Sequence, residues 1–183
     1  MPYDRFKSED ELLESMVLSL AYDVYPKITA IAGKKIHPDI DILQISKISE
    51  HQSRLTGYEL KLMRYDTRSK GLGWSAFYKG LGQSLFYLRN GVYRVVLVLG
   101  FHENVSSDDM IDVFRDWMFQ KKDLLGRILG SYLCVGTHLY KRGSFSPIIE
   151  ANSDFSPPDD ETKFSRDSLL HRRFTFDKKL ATK

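Results

Sequence analysis

The most restrictive feature of this sequence is a short stretch, residues 93–99, in which almost every side chain is apolar or β-branched. A strand with one solvated face alternates apolar and polar residues, whereas a strand without that alternation is covered on both faces. The stretch is also far shorter than the roughly 18 residues of a membrane-spanning helix. We therefore predict a buried central strand in a sheet that is flanked by helices.

The segments around this strand alternate between helical and extended patterns. A capping-box pattern of Ser8 and Glu11 predicts a first helix that ends near Tyr22. The complete order is α-β-β-β-α-β-α-β, which predicts an α/β fold with a mixed central sheet. The remaining predicted elements are strands at 28–32, 39–45, 58–64 and 132–140, a turn at 53–57, a basic loop at 68–73, a helix at 74–88 and a helix capped at 106–109.

The sequence changes character near residue 143. Residues 1–142 carry all the predicted helices and strands, and a chain of 183 residues with 42% apolar side chains suits one domain with a substantial core. Residues 143–183 are polar and interrupted by prolines, as at Pro157 and Pro158. We predict one α/β domain at 1–142 and, at 143–183, a C-terminal arm that is either flexible or dependent on a partner for its structure.

Cysteine usage and the first residues bear on the compartment. Cys134 is the single cysteine of the chain, which excludes an internal disulfide framework and a zinc site built from cysteines. The first residues lack the basic-then-apolar pattern of a secretory signal. We expect a reducing, cytoplasmic location without a membrane.

The net charge of +3 is small, but basic residues are concentrated in one region. Between residues 61 and 100 seven basic side chains accompany a single acid, Asp66. One interpretation is a solvated polar surface, and the other is a surface that meets an anionic backbone. The basic residues are Lys61, Arg64, Arg68, Lys70, Lys79, Arg89 and Arg94.

Charged side chains share a face on two of the predicted strands. Alternate residues of a strand point to the same side, so Glu59 and Lys61 project together while Leu60 points into the opposite layer. Asp39 and Asp41 share a face in the same way, and the isoleucines beside them point to the other side. Clustered carboxylates repel each other, and a hard divalent cation such as Mg²⁺ relieves that repulsion. Such a cation activates water for attack on a phosphoryl group, and a lysine can orient that water.

The pattern Pro38-Asp39 followed by Glu59-Leu60-Lys61 resembles the signature of the PD-(D/E)xK nuclease superfamily. The predicted order α-β-β-β-α-β over residues 8–99 is also similar to the core of that superfamily. The resemblance implies a restriction-endonuclease-like fold and hydrolysis of phosphodiester bonds in DNA, with Mg²⁺ as cofactor and Mn²⁺ as its substitute. RNA is the alternative substrate, and a homodimer is an expectation at the level of the family.

Several acids are candidates for the metal site that the resemblance implies. Asp39-Ile40-Asp41 looks like superfamily members in which an acid precedes the metal-binding aspartate by two places, which favours Asp41 as first ligand and Asp39 as a supporting acid. In the family an acid on the first helix often joins the site. Glu14 lies roughly 110° from the apolar centre of that helix and Glu11 roughly 170°. We therefore expect Glu14 to reach the site and Glu11 to act as the cap.

A second motif lies on the predicted helix at 74–88. Gln83 and Tyr87 form a Q-x-x-x-Y pattern that is similar to RecB-like nucleases and lambda exonuclease. Residues four apart share a helix face, and Lys79 lies on the same face one turn earlier. The resemblance implies that these three side chains help to place the acids and the nucleic-acid backbone.

The resemblance thus implies a role for each candidate residue. The catalytic set is Asp41, Glu59, Lys61, Gln83 and Tyr87, the metal ligands are Asp41 and Glu59 with Asp39 or Glu14, and the nucleic-acid-binding residues are Arg64, Arg68, Lys70 and Lys79. The alternative is a catalytically idle nuclease-like domain that binds nucleic acid or a protein partner, because folds host more than one function.

Overall fold

The strand predicted at residues 93–99 is strand β7 (Arg94–His102) of the structure, a computed structural model. The structure describes residues 3–20, 23–31, 34–49, 52–89, 92, 94–125, 135–141 and 144–149. Residues 95–101 are all buried, which confirms a strand covered on both faces. No helix among the described residues is long and apolar enough to cross a membrane. The elements in chain order are β1 (Arg5–Phe6), α1 (Glu9–Ser19), β2 (Val24–Ile31), β3 (Lys34–Ser49), β4 (Gln52–Met63), β5 (Tyr65–Asp66), β6 (Gly71–Leu72), α2 (Ser75–Arg89), β7, α3 (Asp108–Leu125), β8 (Val135–Lys141) and β9 (Ser144–Ile149).

The main sheet is mixed, with the strand order β2-β3-β4-β7-β8-β9, and β1 pairs with β7 outside this path. Strands β4, β7 and β8 are parallel neighbours, whereas β2–β3, β3–β4 and β8–β9 are antiparallel pairs. Parallel neighbours need a crossover connection, and α2 and α3 lie in the two connections. The predicted α/β class with a mixed sheet and flanking helices is confirmed.

The sheet separates two hydrophobic cores. One core lies on the side of α2 and α3 and includes Phe77 and Leu97. The other lies on the side of α1 and includes Leu12, Met16 and Leu60. Because successive residues of a strand enter opposite cores, each β4 residue is assigned to one face of the sheet.

Helix α2 lies unusually close to the sheet at Gly80. A Cβ atom at this position would overlap Leu97 Cδ1 and lie 3.1 Å from Lys61 Cγ. The missing side chain therefore allows the helix to rest directly on β4 and β7. This close approach brings the polar face of α2 to the residues of β4.

The turn predicted at residues 53–57 is wrong, because β4 runs through these positions without interruption. Gly57 was read as a turn residue, but its role is to make room for neighbours. A Cβ atom at Gly57 would lie 3.2 Å from Tyr87 Cδ2 and 3.2 Å from Val92 Cγ1. The glycine thus lets the Tyr87 ring pack flat against β4.

The boundary predicted at residue 143 is wrong for the first part of the arm. Residues 144–149 form β9, which pairs with β8 and adds an antiparallel strand to the sheet. Ile148 and Ile149 are buried in the core beside α3, which supplies the driving force for this pairing. The remainder of the predicted arm, residues 150–183, lies outside the described residues.

Candidate functional site

Strand β4 directs Glu59 and Lys61 toward α2. The Leu60 side chain points into the opposite core under α1, which confirms the predicted alternation. Glu59 is completely buried and Lys61 is 9% exposed. The Lys61 ammonium forms an ion pair with Glu59 Oε1 and donates a hydrogen bond of 3.0 Å to the Leu60 carbonyl oxygen.

Strands β3 and β4 separate at Asp41. Their pairing ends at Ile42 and Tyr58, and the N–H of Leu60, two residues further along β4, donates to Asp41 Oδ2 at 2.8 Å. The carboxylate of Asp41 therefore replaces a backbone acceptor at the point where the strands part. Ile40 and Ile42 lie in different cores, so the predicted alternation breaks at this point and the two isoleucines do not share a face.

Asp39 contributes to this region through its backbone, while its side chain is exposed. The Asp39 carbonyl oxygen lies 2.7 Å from the Tyr87 hydroxyl. Because the strand irregularity at Asp41 turns the two aspartates differently, sequence spacing alone did not indicate which of them is buried.

Tyr87 links α2 to both separating strands. Its hydroxyl contacts Glu59 Oε2 on β4 and accepts a hydrogen bond of 3.2 Å from the Asp41 N–H on β3. The ring is completely buried. The structure thus brings together Asp41, Glu59, Lys61 and Tyr87, four of the residues selected from the sequence.

The acid of α1 that reaches this cluster is Glu9, and the prediction of Glu14 is wrong. Glu9 Oε1 accepts a hydrogen bond of 3.4 Å from the Leu62 N–H, and Glu9 Oε2 lies 3.9 Å from Lys61 Nζ. Glu14 is exposed. The missed signal was position, since Glu9 precedes Met16 by seven residues and two helical turns place it on the same side of α1, at the end of the helix that meets β4.

Glu11 acts as the helix cap, as expected. Its N–H donates to Ser8 Oγ at 3.2 Å, and its Oε2 accepts a hydrogen bond of 2.6 Å from the Lys7 N–H. This capping fixes where α1 begins and therefore which residue, Glu9, occupies its first position.

Burial and mutual repulsion perturb the two carboxyl groups. Burial, together with the nearby charge of Asp41, raises the pKa of Glu59 to about 7, against the opposing effects of Lys61 and Tyr87. Burial also raises the pKa of Asp41, against the opposing hydrogen bond from Leu60. Although burial lowers the pKa of Lys61, the surrounding carboxylates outweigh it and the pKa is raised. The cluster thus holds two carboxyl groups close together with a single ammonium group to balance their negative charge.

A cavity of about 760 Å³ opens beside Lys61 and Glu9. Its wall on the α2 side includes Lys79 and Gln83, so the face of α2 that was selected from the sequence does point toward Lys61. Lys70 is exposed in the turn between β5 and β6 and does not line the cavity. The charged residues that line the cavity are Glu9, Lys61, Arg64, Asp66, Arg68 and Lys79.

The basic loop predicted at 68–73 is partly a hairpin, because residues 71–72 form β6 and pair with β5. Asp66 holds its turn: Oδ1 accepts a hydrogen bond of 3.0 Å from the Arg68 N–H, and Oδ2 accepts one of 2.8 Å from the Ser69 hydroxyl. These hydrogen bonds lower the pKa of Asp66. The turn therefore presents Arg68 at the cavity mouth from an ordered backbone.

The donor set at the cluster suits a hard divalent cation. Asp41 and Glu59 offer adjacent carboxylates, and the Leu60 carbonyl oxygen faces the Lys61 ammonium beside them. Among the described residues no group of three or more His, Cys, Asp or Glu side chains surrounds a single metal position. Mg²⁺ needs only one or two protein carboxylates, because water and phosphate oxygens complete its shell. Asp39 and Glu14 are therefore not required as ligands.

The chain was compared with family models, with curated proteins and with solved structures. No family model, no curated protein and no solved structure matches it. The resemblance of Asp41, Glu59 and Lys61 to the PD-(D/E)xK signature therefore stays a prediction.

Replacing Tyr87 by Phe is expected to lower the free energy of unfolding by about 1–3 kcal/mol. The change leaves the Asp41 N–H and the Asp39 carbonyl oxygen without their shared partner in a buried region. Gln83→Ala is the matched control on the same helix face, and its effect should stay within about ±0.5 kcal/mol. Urea unfolding of both variants measures the difference. Equally small effects would contradict the anchoring role of the Tyr87 hydroxyl.

Proposed function

We propose that this protein is a divalent-metal-dependent nuclease that hydrolyses phosphodiester bonds in DNA. The observation that carries the proposal is the convergence of Asp41, Glu59 and Lys61 where β3 and β4 separate, with Lys61 lining a cavity that also has Arg64, Arg68 and Lys79 in its walls. Two carboxylates and one ammonium where two inner strands of a sheet separate suit a phosphoryl-transfer site better than a packing role. Buried charges of this kind destabilise a core in which they have no task.

The proposed core is restriction-endonuclease-like. The order α1, β2, β3, β4, α2, β7 follows the α-β-β-β-α-β pattern of that fold, and β4 and β7 are parallel neighbours in the sheet. The residues that resemble the signature lie on the middle strands of this unit, next to the helix that carries Gln83 and Tyr87. The positions of these residues support the proposal more than the order of the elements does, because one fold can host many functions.

Asp41 and Glu59 would hold the cation, and the Leu60 carbonyl oxygen would be a third protein oxygen beside them. A bound Mg²⁺ supplies Lewis acidity and lowers the pKa of a water molecule that attacks phosphorus. Tyr87 keeps the Glu59 carboxylate in place by its contact with Oε2. The protein contributes a preorganised pair of anionic ligands that costs no rearrangement at the moment of reaction.

Lys61 and the cavity walls would act on the substrate. The Lys61 ammonium orients the attacking water and offsets charge on the phosphoryl oxygens. Lys79 and Gln83 line one wall of the cavity, and Arg64 and Arg68 line another, so a phosphodiester backbone meets cations from two sides. Contacts of this kind give affinity without sequence preference.

Lys61→Met is expected to reduce the cleavage rate by about 100-fold or more while DNA binding persists. Methionine keeps much of the side-chain volume beside Gly80 but removes the charge, and one ammonium is a small part of a multi-phosphate footprint. Labelled single-stranded, duplex and branched DNA, and RNA, incubated with Mg²⁺ or Mn²⁺, provide the measurement. Lys122→Ala is the control, because Lys122 lies on α3, which does not line the cavity.

The same assay separates the proposal from its rival. Retained cleavage by Lys61→Met would remove the role of Lys61. Binding of nucleic acid without cleavage of any substrate by the unchanged protein would favour a catalytically idle nuclease-like domain. Cleavage of RNA alone would change the substrate class and keep the mechanism.

A further inference from the structure

The Lys61 ammonium lies where a cation bound to Glu59 would lie. It contacts Glu59 Oε1 and donates to the Leu60 carbonyl oxygen at 3.0 Å. Within the described residues no other group contacts Glu59 Oε1 through a hydrogen bond. Because Glu59 is completely buried, this ammonium is the positive charge that compensates its Oε1 oxygen.

A second carboxylate, that of Glu9, lies near Lys61 on the side of the cavity. Glu9 Oε2 lies 3.9 Å from Lys61 Nζ, and the Glu9 side chain is 53% exposed, whereas that of Glu59 is not exposed at all. The hydrogen bond from the Leu62 N–H to Glu9 Oε1 holds this carboxylate at the edge of β4. Glu9 and Lys61 both line the cavity.

Lys61 has a packed side and an open side. Helix α2 packs closely against its side chain at Gly80, where even a Cβ atom would lie 3.1 Å from Lys61 Cγ. The open side is the cavity, where Glu9 lies. A dication on Glu59 Oε1 would repel the ammonium strongly in a buried setting, so both cannot occupy the same oxygen.

We propose that Lys61 is the resident cation of the metal-free site, and that a divalent cation displaces its ammonium from Glu59 toward Glu9. This inference rests on the proposed function and adds its regulation, because binding of the cation and presentation of the lysine to the cavity become one event. Glu9 is then a positioning residue that acts through Lys61. In the metal-free protein the ammonium is held on Glu59.

A double-mutant cycle on metal affinity tests this exchange. Mn²⁺ binding is measured by calorimetry for the unchanged protein, Lys61→Met, Glu9→Gln and the double variant at pH 8.5, where Glu59 is ionised. We expect Lys61→Met to bind Mn²⁺ about tenfold more tightly, because no ammonium competes. Glu9→Gln should weaken Mn²⁺ binding about fivefold relative to the unchanged protein. In the double variant the loss relative to Lys61→Met should be less than about twofold. Glu14→Gln is the control and should have no effect.

Each outcome of the cycle decides the inference. Equal or weaker Mn²⁺ binding by a folded Lys61→Met would overturn the competition. Equal losses from Glu9→Gln in both backgrounds would make Glu9 a metal ligand instead. Absence of Mn²⁺ binding to any variant would overturn the proposed metal site itself, whereas binding by the unchanged protein with no change in Lys61→Met overturns only the exchange.

A second measurement needs no variant. Acylation of lysines by a water-soluble ester, followed by mass spectrometry, reports how accessible Lys61 is with and without Ca²⁺. We expect Ca²⁺ to increase modification of Lys61 several-fold and to leave Lys122 unchanged, because only Lys61 leaves a buried ion pair. Unchanged or reduced modification of Lys61 at saturating Ca²⁺ would overturn the displacement.

Discussion

Glu59→Gln is expected to reduce the cleavage rate by about 10³-fold or more without unfolding the protein. Glutamine has nearly the same shape and can still contact the Tyr87 hydroxyl, but it removes one of the two anionic ligands proposed for the cation. A loss of that size corresponds to about 4 kcal/mol of transition-state stabilisation. Cleavage rates under saturating Mg²⁺, with far-ultraviolet circular dichroism as the folding check, measure the effect.

The control for this substitution is Glu14→Gln. Glu14 carries the same side chain and was a candidate metal ligand in the sequence analysis. Its side chain is exposed on α1. Its substitution should leave the cleavage rate within about twofold, since surface changes away from a site are usually small. Comparable losses in both variants would show that the cluster around Glu59 has no special part in the reaction.

The elements of the site that follow from strand geometry were predictable from the sequence. Glu59 and Lys61 are two residues apart, and the apolar Leu60 between them fixed which side faces the opposite core. The apolar stretch at 93–99 identified the buried strand because few arrangements cover both faces of a strand. In each case one local pattern determined one structural feature.

The features that were missed depend on contacts between distant segments. Gly57 looked like a turn residue, but it admits the ring of Tyr87, which lies 30 residues later in the chain. Asp41 lies where the pairing of β3 with β4 ends, and its carboxylate takes the N–H of Leu60. No periodicity within β3 encodes that hydrogen bond, so the breakdown of alternation at Asp41 was not visible in the sequence.

The misassigned acid of α1 has a different cause. The position of Glu14 was judged by its angle from the apolar centre, but the site lies at the beginning of the helix rather than beside its middle. Glu9 is the first residue of α1, directly after the N-cap Ser8, and was not considered as a candidate. Angle and distance along the helix axis both determine what a side chain reaches, and only the angle was used for Glu14.

Ionisation of Glu59 is expected to lower the free energy of unfolding of the metal-free protein as the pH rises from about 5 to 8. The pKa of Glu59 is raised from 4.5 to about 7, chiefly by burial and by the charge of Asp41. Between these two values the folded protein binds more protons than the unfolded chain, so raising the pH favours unfolding. Each unit of pKa difference corresponds to about 1.4 kcal/mol, which gives a total on the order of 3 kcal/mol.

Urea unfolding in the presence of EDTA at pH 5, 6, 7 and 8 measures this dependence, and Glu59→Gln isolates it. The variant cannot ionise at this position, so the unchanged protein should lose about 3 kcal/mol relative to Glu59→Gln between pH 5 and pH 8. Asp41, whose pKa is also raised, contributes in the same direction in the unchanged protein. Glu14→Gln should reproduce the full dependence. Parallel curves for the unchanged protein and Glu59→Gln would mean that Glu59 is already ionised at pH 5, because Lys61 and Tyr87 would then outweigh burial and the repulsion from Asp41.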